Sequence, residues 1–158
     1  MTKLENRFEA ERLLKDAKQA FTDKEDGFER VVLKNIKHAL DLGHPEAKFA
    51  AAYLAVTGFP GAEGYLATAK DLMVSAAKEG YPYAYFAVGS LHENGGLGEP
   101  DARAAHKHYL LGACAGDARA TYELSRCYAY GIGVSQDQDL AETLMDISLS
   151  RAFVGMWD

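Results

Sequence analysis

Ala120-Thr121-Tyr122-Glu123-Leu124-Ser125-Arg126-Cys127-Tyr128-Ala129-Tyr130-Gly131-Ile132-Gly133-Val134 sets the register of the whole chain. It is a run free of Gly and Pro that closes on two glycines, and it follows the tripeptide Gly116-Asp117-Ala118. Two earlier tripeptides match that one: Gly43-His44-Pro45 and Gly80-Tyr81-Pro82, with their glycines 37 and 36 residues apart from the next. Aligned on them, the chain repeats itself. Four positions after each Gly stands Ala47, Ala84 or Ala120, and two further on an aromatic, Phe49, Phe86 or Tyr122. A small residue follows (Ala52, Gly89, Ser125), and then a glycine (Gly58, Gly95, Gly131). Later still, Ala69 with Ala77 and Ala105 with Ala113 keep the same spacing. A period of this length implies stacked supersecondary units, each burying its apolar face on the next.

Each unit reads as two helices. Residues 46–57 contain no Gly or Pro and are apolar all round, as a helix packed on both sides would be. Pro45 and Pro82 stand at helix starts, where a missing N–H costs little. Gly58, Gly95 and Gly131 close the first helix in a left-handed conformation. Second helices are expected over about 65–79, 101–115 and 137–150, with Asp101 and Asp137 as caps or first-turn acids. Small residues at recurring sites let paired helices approach, and Gly89 is one such point of contact. Residues 27–42 read as a second helix partnered by a charged helix over 4–21, a solvated N-terminal cap. The expected organisation is a single domain over 1–158. It comprises a cap and half repeat (1–42), three repeats (43–79, 80–115, 116–151) and an apolar tail (152–158) holding Trp157, which either folds back over the last helix or anchors a partner.

Composition narrows the function. Of 158 residues, 17 are Lys or Arg and 23 Asp or Glu, giving a net charge of −6. With a pI near 5.4 and no basic block, nucleic acid and anionic membrane are not expected as partners. The longest apolar run, Phe49 to Val56, is far short of the roughly 20 residues that span a bilayer. The start, Met1-Thr2-Lys3-Leu4, lacks the apolar core of a secretory signal, so the expected compartment is the cytoplasm. Fifteen glycines against four prolines are explained by the repeat, not by low complexity.

The third unit resembles the Sel-one-like repeat (SLR) family, relatives of the tetratricopeptide repeats, through Leu124, Tyr128, Gly131, Gly133, Val134, Asp137 and Ala141. Ser125 stands where the family has Gly, and Leu140 where it has Lys. The middle unit keeps Val88-Gly89, Gly95, Asp101, Ala105, Ala113 and Gly116; the first has an altered Gly58-Phe59-Pro60-Gly61 connection. The resemblance covers about 43–151. It implies an all-α, right-handed α/α solenoid of about eight helices that binds a protein or peptide along one face, as members serving as adaptors do.

In such solenoids the first helix of each unit lines the concave groove. Carried onto this sequence, the resemblance nominates Tyr53 in the first unit and Tyr83, Phe86, Ser90, Glu93 and Asn94 in the second. In the third it nominates Arg119, Tyr122, Arg126 and Tyr130. Tyrosines beside arginines have the composition of a binding hot spot. Alternatives remain at two places. The aromatics at 49, 86 and 122 serve either a partner or inter-repeat packing. Arg119 and Arg126 either clamp an acidic group on a partner or pair with Glu123 or Glu142.

Catalysis and metal binding are not expected. His106 and His108 point to different helix faces, and His92-Glu93 has no second His at zinc-site spacing. Gly95-Gly96-Leu97-Gly98 lacks the preceding strand and following Lys of a phosphate loop. Exported relatives staple helices with disulfides, but here Cys114 and Cys127 are expected as buried thiols. No cofactor is nominated. The sequence therefore reads as a non-enzymatic interaction module, a dedicated inhibitor, immunity-type protein or regulator. The alternatives are an adaptor subunit and an enzyme of unknown reaction, and a solenoid end or the tail offers a surface for homo-oligomerisation under any of these readings.

Overall fold

The computed structural model describes residues 1–151, and these form two compact units, 1–80 and 81–151. The apolar tail and Trp157, with their two alternatives, lie outside the described residues.

The first unit contains α1 (Lys3–Asp23), α2 (Phe28–Asp41), α3 (Pro45–Val56), a 3₁₀ turn (Glu63–Thr68) and α4 (Ala69–Lys78). A capping box starts α1: the Thr2 side chain accepts from the Glu5 amide, and the Glu5 carboxylate accepts from the Thr2 amide. Ala10, Leu13, Leu14 and Ala17 form its only buried stripe, so α1 is wet on its other faces. It packs on α2, whose Val32, Ile36 and Ala39 are buried. By contrast α3 buries Ala47, Phe49, Ala50, Ala51, Ala52, Leu54 and Ala55, the all-round burial that its composition implies. It lies between α2 and α4.

One expectation fails here. The second helix of this unit does not run from 65; residues 63–68 are 3₁₀, and the α-helix begins at Ala69. Two physical reasons are visible. Thr68 makes no side-chain cap bond, unlike the aspartates that start the later second helices. The altered connection also places Phe59 against Phe21 and Phe28, with ring centroids 6.0 and 6.1 Å away, and this holds the chain in its turn.

The second unit contains α5 (Pro82–Glu93), α6 (Ala102–Cys114), α7 (Ala118–Tyr130) and α8 (Gln138–Ser150). Helices pair as α5 with α6 and α7 with α8, and α6 packs on α7, so consecutive helix-turn-helix hairpins stack. Asp101, Asp117 and Asp137 cap α6, α7 and α8 through their carboxylates. Gly131 ends α7 at φ +69. A side chain on Gly133 would meet the Ala102 carbonyl oxygen at 2.0 Å, so the turn after α7 lies directly on the start of α6. Among the described residues no helix is long and apolar enough to cross a membrane.

Candidate functional site

The second unit gathers most of the nominated residues on its two first helices. From α7, the Arg119 guanidinium carbon stands 4.8 Å from the centroid of Phe86 and 5.9 Å from that of Tyr83, both on α5. Asp117 holds it there. Its carboxylate accepts from the Arg119 and Ala120 amides as the helix cap, and also from Arg119 Nε at 3.3 Å and Nη2 at 3.0 Å. The arginine is thus fixed between a carboxylate and an aromatic face before any partner arrives. Beside it, Phe86, Arg119, Tyr122 and Glu123 line a recess of about 310 Å³. Tyr122 is 42% exposed and Tyr130, at the end of α7, is 76% exposed.

Glu93 and Arg126 are used differently. Arg126 Nη2 donates to both oxygens of Glu93 at 2.6 Å, and its Nε donates to Glu123 at 2.7 Å. Tyr109, 2% exposed, donates its hydroxyl to Glu93 at 2.9 Å. Burial alone would raise the Glu93 carboxyl, but the bonds from Arg126 and Tyr109 outweigh it and hold the group below the usual carboxylate range. Burial, together with the bond to Glu93, pushes the Tyr109 hydroxyl up. This cluster ties α5, α6 and α7 together from within. Of the two arrangements open to Arg126, pairing with Glu123 is the one formed, joined by Glu93. Arg119 pairs with Asp117, which the sequence reading did not weigh.

The remaining nominees scatter. Ser90 is half-buried on α5. Asn94 is spent on the turn, its side-chain oxygen accepting from the Gly96 amide at 3.0 Å. Tyr53 belongs to the first unit, where its ring stacks on buried Phe49 at 5.9 Å and stays 36% exposed. Of the recurring aromatics, Phe49 is therefore core, while Tyr122 is surface. Tyr109 escaped sequence reasoning, although Gly89 was the signal. A side chain on Gly89 would meet the Tyr109 ring at 2.6 Å, so the small residue exists to admit a large one.

The cysteines depart from expectation in one case. Cys127 is buried, and burial pushes its thiol up to about 11. Cys114 is an exposed thiol. It sits off the stripe formed by Ala105, Tyr109, Gly112 and Ala113 through which α6 packs. Both are unpaired. Among the described residues no group of three or more His, Cys, Asp or Glu is placed to hold a metal ion.

These hairpins match known proteins. The model of the Sel1 repeat matches residues 82–117 and again 118–147, so each match opens at a first helix of the second unit and takes in one hairpin. The crystal structure of a Sel1 repeat protein from Oxalobacter formigenes is similar at 28% identity and a TM-score of 0.63. That similarity covers 75% of this chain and 47% of the other, so the chain spans about half the length of that protein. No curated protein matches the chain. Residues 82–147 thus carry two consecutive Sel1 repeats, in a chain whose fold is similar to that of the Oxalobacter formigenes Sel1 repeat protein.

Proposed function

We propose that this chain is a non-enzymatic protein-interaction module that docks a partner protein or peptide on the α5–α7 face of its second unit. Sel1 repeat proteins are generally protein-interaction scaffolds, which supports the class of function. One observation carries the placement. Exposed Tyr122 stands beside a recess whose Arg119 is already immobilised over Phe86, and a partner that covers these groups spends little entropy ordering them. The role is that of a dedicated binder, an inhibitor, immunity-type protein or regulator of one partner, working in the cytoplasm.

Tyr122→Ala with Tyr130→Ala is the test. Both rings are exposed, so the double variant should keep the helical circular dichroism and melting of the wild type. A partner retained from the source cell by the wild-type chain should be lost by the variant. Retention of that partner at unchanged affinity overturns the placement. Turnover of a substrate by the purified chain overturns the non-enzymatic reading.

A further inference from the structure

Helix α6 carries two histidines two positions apart, and each is wedged against a different first helix. On one side His106 meets Tyr128 of α7 edge to face, with ring centroids 5.4 Å apart and planes at 82°. Its Nε2 is buried and has no hydrogen-bond partner among the described residues. On the other side His108 lies against His92 of α5, with centroids 5.1 Å apart and planes 31° from parallel. His108 Nδ1 contacts the Ala104 carbonyl oxygen at 2.8 Å. A carbonyl only accepts, so Nδ1 carries the proton and Nε2 is the site left to titrate.

Neither position suits an imidazolium. Protonated His106 would carry a buried N–H without an acceptor. Protonated His108 would face His92, a second imidazole, with Lys107 alongside; both repel a positive charge there. The carboxylate nearest in sequence to His92, Glu93, is engaged by Arg126 and Tyr109. On the α7 side the group facing His106 is the Tyr128 ring, while Arg126 and Glu123 are paired with each other.

We propose that α6 is an acid-sensitive latch, packed at neutral pH by two uncharged imidazoles and released from α5 and α7 when mild acid charges both. Burial lowers the affinity of both imidazoles for protons, ahead of the opposing bond from Ala104 to His108. The fold therefore binds fewer protons here than the unfolded chain. The stabilisation is complete above the ordinary value of 6.5 and is lost as pH falls below it towards the lowered values. Because α5 and α7 bear the proposed docking face, release would dismantle that face. This consequence rests on the docking reading, whereas the latch itself is tested without a partner.

His44 at the start of α3 is also lowered by burial, so the first unit has an acid response of its own and a local readout is needed. The experiment is amide hydrogen exchange, corrected for intrinsic rates, at about pH 7.5 and about pH 5. It compares the wild type with the double variant His106→Phe, His108→Gln. In the wild type, α5–α7 amides should open about tenfold or more upon acidification, and in the variant by much less. Flat α5–α7 protection in the wild type overturns the latch, and so does an equal acid response in the variant. If the double variant does not fold, titration of the wild-type imidazole protons by NMR decides. Both should titrate below 6.5, and titration of either at or above that value overturns the proposal.

Discussion

At the scale of single residues, the Glu93–Arg126–Tyr109 cluster shows why residue type alone misassigns a side chain. Arginine and glutamate on a first helix fit a binding rim and an internal brace equally well. What decides between them is a partner on another helix, and Tyr109 lies outside any local spacing. Tyr109→Phe keeps the ring and deletes one bond, and should cost about 1 kcal/mol in denaturant unfolding. Since the Glu93 carboxyl is held low, its stabilisation is present above the ordinary value of 4.5 and is lost as pH falls through the folded value. Glu93→Gln should therefore flatten the stability profile below about pH 4.5, while leaving in place the histidine-dependent loss that begins below 6.5. The cysteines offer a second residue-scale test. Alkylation read by mass spectrometry should modify exposed Cys114 in the folded chain and reach buried Cys127 only on unfolding. Equal labelling of both in the native state would show that α7 opens readily.

Helices are where the sequence was most legible, because repetition supplies its own control. Three units in register place helix starts, glycine closures and close-approach sites with little reference to tertiary structure. Asp101 and Asp137 were recognisable as caps for that reason, and Gly89 as a contact point. The 3₁₀ stretch was not legible. It depends on Phe59 reaching Phe21 and Phe28, a contact among α1, α2 and a turn that no period announces. The site was only partly legible: the recurrence located first-helix positions, but which of them face a partner is set by pairing across helices. Gly89→Ala separates the local from the tertiary effect. In isolation alanine favours a helix by about 1 kcal/mol over glycine. Here the added methyl would meet a buried Tyr109 ring at 2.6 Å, so the variant should be destabilised by about 1–3 kcal/mol. A higher melting temperature for Gly89→Ala would mean that the ring can move aside, and that the α5–α6 contact is looser than the geometry requires.

At the scale of the molecule, the chain forms two compact units, and this determines where a defect should be felt. The core of the second unit brings together Ala105, Tyr109 and Ala113 from α6 with Leu124 and Cys127 from α7. Phe86, Tyr128, Ile132, Val134 and Leu144 pack against it, so every helix of that unit contributes. Tyr109→Ala would empty the middle of this cluster and leave Glu93 without its hydroxyl donor, a loss of about 3–5 kcal/mol for an aromatic truncation. Stacked repeats sum local stabilities with nearest-neighbour terms and do not share one global value. Amide exchange in Tyr109→Ala should therefore accelerate by about a hundredfold or more across α5–α8, while the most protected amides of α1–α3 change far less. Equal acceleration in both units would show instead that the chain unfolds as one cooperative body, with coupling between units stronger than the core of either.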